Sequence, residues 1–124
     1  MYAHSRHNFP FRKQRSDFDL ELKNAINDAE YLAQLAKHLP KVFAFETEIV
    51  FYQAGVDALA TDRLRQRDGM VFEAIRKVAL PCVVTLGGGY SDPIECTVTA
   101  SANTYRLAAQ ILRAINPTLS RPSR

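Results

Sequence analysis

Two side chains in this 124-residue sequence stand where chemistry could be done: Tyr90 and Asp57. Tyr90 follows Gly87-Gly88-Gly89 in the stretch ALPCVVTLGGGYSDPIE, residues 79–95. Glycines let a backbone take φ > 0 or approach another group closely. The run Cys82-Val83-Val84-Thr85-Leu86 before them has the apolar, β-branched character of a buried parallel strand. Tyr90 therefore sits on a turn at the carboxyl end of a strand, where ligands bind in open α/β sheets. Asp57 ends YQAGVD, just past a second such run. The bland readings are a turn-forming carboxylate for Asp57 and, for Tyr90, a ring packed over the glycine turn with a wet hydroxyl. A triple glycine before a helix start also suits an anion, but neither the P-loop lysine nor the GxGxxG spacing accompanies it.

The elements around these residues decide whether they can meet. Glu48–Gln53 predicts a strand, Arg63–Val78 a helix with Val71, Ala74, Ile75 and Val78 as its buried stripe, and Cys82–Leu86 a second strand. Gly69 costs that helix about 1 kcal/mol relative to alanine. Strand, helix, strand is a βαβ unit with parallel strands, which brings Asp57 and Tyr90 to the same edge of the sheet, within reach of one crevice. Phe51-Tyr52 falls within a strand and reads as core. Asp92-Pro93-Ile94-Glu95 has the form of a capping box, with Asp92 as N-cap and Glu95 as its N3 partner, and opens a helix predicted over Pro93–Ile115. Asp62, Arg63, Arg67 and Asp68 form either a charged network or a solvated helix face.

Upstream, Pro10 makes residues 1–15 extended or loop. Phe18, Leu20 and Leu22 alternate with polar residues as in a short edge strand. Asn27 or Asp28 caps a helix with Glu30 in its first turn, carrying Ala29, Leu32, Leu35, Ala36 and Leu39 inward until Pro40 interrupts it. The expected organisation is one domain over residues 1–116 and a disordered basic tail over 117–124.

Composition narrows the function classes. Hydrophobic residues are 47% and charged residues 23%, as in a soluble globular chain. No apolar run approaches the ~20 residues that span a bilayer, and MYAHSRHNFPFRKQR has no apolar signal core. Cys82 and Cys96 form no metal or redox spacing, which predicts reduced thiols, a cytoplasmic setting and Cys82 as a small core residue. The net charge of +3 is concentrated at the two ends, and no aromatic–basic interleaving points to nucleic acid.

Several stretches resemble the carboxyl-terminal half of the zinc-dependent histone deacetylase family, in particular its bacterial and class IV-like branch. They are NFPFRK at Asn8–Lys13 leading into SDFDLEL, VFYQAGVDALATDRL from Val50 to Leu64, RQRD at Arg65–Asp68, LGGGYS from Leu86 to Ser91, and ANTYRLA at Ala102–Ala108. The resemblance covers nearly the whole chain in the right order. It implies an α/β fold with three layers, an arginase/deacetylase-like, mostly parallel sheet with helices on both faces. It implies removal of acetyl or other acyl groups from amines such as acetyl-lysine or a small acylated amine, with zinc as the family's cofactor. By resemblance Asp57 matches a zinc-ligand aspartate, Tyr90 the tyrosine that donates to the carbonyl oxyanion, and Gly88 a backbone lining the acyl-lysine channel.

The departures from that family count equally. Its other two zinc ligands lie in an upstream Asp-x-His motif and its proton-transfer histidines further upstream. This sequence has no Asp-x-His and no adjacent histidines. One ligand of three does not make a catalytic zinc site, and no spacing requires His4 or His7 to substitute. Between DRL and the RD segment the family has roughly ten more residues, whereas here Leu64 joins Arg65 directly; Ser101 stands where related sequences often carry histidine. These gaps imply a truncated domain that is inactive as this chain alone, or a non-catalytic interaction module, with an uncovered sheet edge open to self-association.

Overall fold

A computed structural model of the chain describes residues 2–5, 12, 15–23, 26–56 and 61–113. It is α/β, with small parallel sheets and three helices. The chain divides into two compact units, Met1–Phe45 and Glu46–Arg124. The tail at 117–124 lies outside the described residues.

In the first unit, β1 (Tyr2–Ser5) pairs in parallel with β2 (Asp19–Leu22), Tyr2 opposite Asp19 and Ser5 opposite Leu22. The polar run Tyr-Ala-His-Ser carries no apolar alternation, so the extended-or-loop reading of residues 1–15 missed a strand there. The alternation over 18–22 holds: Leu22 is buried, Phe18 and Leu20 are half-buried, and Asp19 and Glu21 are exposed. Helix α1 (Asp28–Val42) begins at Asn27, whose side-chain oxygen accepts from the Glu30 amide at 2.9 Å. Asn27 is thus the N-cap, and Asp28 and Glu30 lie in the first turn against the helix dipole. Leu35 and Leu39 are buried, whereas Ala29 and Ala36 are exposed. Pro40 does not interrupt α1. It removes one ladder hydrogen bond in the last turn, and the helix ends two residues beyond it.

The second unit is a βαβ unit followed by a helix: β3 (Val50–Gly55), α2 (Thr61–Val78), β4 (Cys82–Gly87) and α3 (Glu95–Leu112). β3 and β4 are parallel, in register from Val50 opposite Cys82 to Gly55 opposite Gly87. One face of the pair, with Tyr52 and Ala54 from β3, turns toward the helices; the Tyr52 ring meets Phe72 of α2 edge-on at 5.5 Å. Phe51, Gln53, Val83 and Thr85 are exposed. Phe51 is 69% exposed, so only the second residue of the Phe51-Tyr52 pair is core. The alternation of a strand puts neighbours on opposite faces, and helices cover one of them among the described residues.

Helix α2 runs unbroken through Gly69, where an added Cβ would meet nothing closer than Leu107 Cδ2 at 3.9 Å. Its buried side is Leu64, Arg67, Asp68, Val71, Phe72 and Ile75, spaced as one helical stripe. Val78 shares the spacing of that stripe but, as the last residue of the helix, is 41% exposed, contrary to the expected burial. The helix ends with Ala79 at φ 53°, a left-handed cap more usual for glycine. Helix α3 packs on α2, with Ala100, Thr104 and Ala108 buried. No helix among the described residues is long and apolar enough to cross a membrane.

Candidate active site

The site begins at the carboxyl end of β4. Gly88 and Gly89 take φ of 65° and 92°, the left-handed region that glycine occupies without penalty. At Gly89 a second constraint applies. A Cβ there would collide with the Thr97 methyl of α3 and stand 3.1 Å from Val56 Cγ2. The turn is therefore pressed against both the end of β3 and the first turn of α3. Tyr90, next in sequence, is 89% exposed and presents its phenol to solvent.

Asp92 does not cap the helix that follows. The helix starts at Glu95 with Ile94 in the cap position and no side-chain cap hydrogen bond. Residues 92–94 instead form a tight lead-in turn: the Cys96 amide donates to Pro93 O at 3.3 Å and the Ser91 amide to Thr97 Oγ1 at 3.4 Å. The Asp92–Pro93 peptide is cis.

Asp57 lies outside the described residues. β3 and β4 finish opposite each other at Gly55 and Gly87, and the Val56 amide donates to Gly87 O at 3.1 Å. Val56 and Gly87 thus lie together at one edge of the sheet.

Beneath that edge lies a buried polar cluster. Arg67, Asp68 and Thr104 are 5%, 1% and 2% exposed. Asp68 Oδ1 accepts from Tyr52 Oη at 2.6 Å, from Arg67 Nε at 2.9 Å and from Arg67 Nη2 at 2.7 Å, while Oδ2 accepts from the Thr104 hydroxyl. Arg67 Nη1 donates to Gly55 O, and its guanidinium carbon stands 5.8 Å from the centre of the Tyr52 ring. Among the described residues no buried side-chain polar atom lacks a partner, which is what burial of a charge demands. The charged-network reading holds for Arg67 and Asp68 and not for Arg63, which is exposed. Tyr52 and Thr104 were missed. The readable signal was the spacing: Arg67 and Asp68 fall inside the apolar stripe running from Leu64 to Ile75, and charges inside such a stripe are buried or paired.

The remaining candidates separate cleanly. His38 Nδ1 lies 2.8 Å from Gln34 O within α1, and its ring stacks obliquely on Phe18 at 5.7 Å. His4 falls in β1, and His7 lies outside the described residues. Cys82 is half-buried rather than fully core, and burial pushes its thiol pKa up. A raised pKa leaves less thiolate at neutral pH, the opposite of an activated nucleophile. Cys96 is exposed.

Residues 1–106 match the family model for the histone deacetylase domain. The chain belongs to the histone deacetylase family. A similar protein, an uncharacterized protein of Picosynechococcus sp., is 34% identical over 119 residues, covering 87% of this chain and 40% of the relative. The chain thus spans about 40% of the length of the curated relative it matches. Histone deacetylases use a zinc ion, and a catalytic zinc takes three protein ligands. Among the described residues no group of three His, Cys, Asp or Glu side chains could hold a metal. The described part of this histone deacetylase-family chain therefore does not fit a zinc by itself.

Proposed function

We propose that this chain carries one part of an acyl-amide hydrolase site of the deacetylase type and is inert alone. Tyr90 is the oxyanion donor: its phenol hydrogen-bonds the substrate carbonyl oxygen as negative charge develops there. Gly88 lines the channel for an acetyl-lysine or another acylated amine, since a residue without Cβ admits a substrate chain beside the backbone. Asp57 occupies the position of one carboxylate ligand in the family's zinc shell. The Asp-x-His ligands and the histidine pair that complete such a site are missing from this sequence. The observation that carries the reading is the 89% exposed phenol of Tyr90, set by left-handed glycines at the carboxyl end of a parallel strand in a chain of this family.

The experiment is acetate release from an acetyl-lysine peptide with zinc supplied. The expected result is no release above a protein-free control. Zinc-dependent release that disappears in both Asp57→Ala and Tyr90→Phe would overturn the inert part of the proposal while keeping its site. Release unaffected by either substitution would overturn the site.

A second reading, an interaction module, draws on the uncovered side of the β3–β4 pair, where Phe51 is 69% and Val83 40% exposed. Open strand edges and apolar patches invite pairing. Light scattering of the purified chain separates the two: self-association that Phe51→Ser reverses favours the module, and a monomer at all concentrations disfavours it.

A further inference from the structure

One peptide group joins the buried cluster to the site edge. Gly55 O and the Val56 N–H belong to the same peptide unit, which is planar and rotates as one body. Arg67 Nη1 grips its oxygen from α2, and Gly87 O takes its N–H at 3.1 Å from the end of β4. The residue after Val56 is Asp57, and the residues after Gly87 are the two left-handed glycines and Tyr90. Arg67 is itself immobilised. Its Nε and Nη2 are both bound to Asp68 Oδ1, and Asp68 is held in turn by Tyr52 and Thr104. Buried ion pairs add little net stability compared with well-packed apolar residues. A planar guanidinium, by contrast, can satisfy a carboxylate with one edge and aim its remaining nitrogen at a fixed point.

We infer that Arg67, oriented by Asp68, is a positioning residue that sets the Gly55–Val56 peptide and, through the hydrogen bond of that peptide to Gly87 O, the turn bearing Tyr90. Its link to amide chemistry rests on the function proposed above, but the geometric claim does not. Lysine at position 67 keeps the charge and loses the fork, so it cannot hold Asp68 from two nitrogens and reach Gly55 O as well.

The test is amide hydrogen exchange on the full chain, followed by NMR. In Arg67→Lys the Val56 amide exchanges at least about tenfold faster than any change seen at Phe72 and Ile75, because a local opening has been made easier. The Gly88, Gly89 and Tyr90 amide resonances shift with it. Thr104→Val, which removes a donor to Asp68 without touching Gly55 O, speeds Val56, Phe72 and Ile75 together. Should Arg67→Lys fail to fold, Asp68→Asn, which keeps the shape and removes the charge that orients Arg67, gives the same selective response at Val56. Val56 exchanging in step with Phe72 and Ile75 in Arg67→Lys or, where that variant does not fold, in Asp68→Asn overturns the inference and leaves Arg67 merely structural. The readout is backbone exchange and not acetate release, so it stands or falls separately from the role assigned to Tyr90.

Discussion

The Tyr90 turn and the Asp68 cluster are both polar and belong to the same unit, yet they are built on opposite terms. Tyr90 is 89% exposed, and the adjoining Ser91 and Asp92 are exposed as well. Asp68 is 1% exposed, and both its oxygens accept from buried or half-buried donors. In the role proposed for it Tyr90 has to stay accessible, and rigidity comes to it through the backbone: two left-handed glycines, one pressed against Thr97 and Val56. A group that must hold a frame is desolvated, where each hydrogen bond is stronger and each unmade one costlier. Substitutions in the two regions should therefore separate stability from chemistry.

The largest effect is expected at Asp68→Ala. It strands Arg67 as a buried charge and removes the acceptor of Tyr52 and Thr104, at a cost of about 3–5 kcal/mol. Urea unfolding measures it; a loss below about 1 kcal/mol would mean that the cluster is wetter than described. Gly89→Ala comes next. It forces alanine to φ 92° and drives a methyl into Thr97, and costs about 2–3 kcal/mol. Gly69→Ala is its counterpart and has the opposite sign. With only Leu107 Cδ2 at 3.9 Å to meet, the new methyl fits, and the helix gains about 0.5–1 kcal/mol. Equal effects of the two glycine substitutions would contradict the description of the turn. The smallest effect is at Tyr90→Phe, where loss of an exposed hydroxyl changes stability by less than about 0.5 kcal/mol. A larger change would place the phenol inside the packing.

Much of this was legible in the residues. The β-branched runs on either side of an amphipathic helix yield the parallel β3–α2–β4 unit, and the turn glycines yield the left-handed backbone before Tyr90. What escaped has identifiable physical causes. Strand β1 is held by pairing with β2, and nothing in the alternation of Tyr2–Ser5 announces it. The capping box at Asp92–Glu95 has the right residue types, yet the lead-in turn is closed by backbone bonds and by Thr97, which leaves Asp92 no cap to make. Phe51 was assigned to the core by its type, and only the sheet's one-sided cover exposes it. Arg67 and Asp68 were noticed as charges, but their partners come from elements 16 and 36 residues away from Asp68 in sequence. Pairings at that range cannot be read from local spacing. The three-layer arrangement and the zinc ligand at Asp57 remain expectations of the family.

The claim that this chain holds part of a deacetylase site without its full metal shell is tested most directly by metal content. The chain is purified, exposed to excess zinc, dialysed and measured by atomic emission. The account predicts well below one zinc per chain, unchanged by Asp57→Ala. One zinc per chain that survives dialysis and is lost in Asp57→Ala would contradict it, because the sequence would then hold a complete ligand set around Asp57.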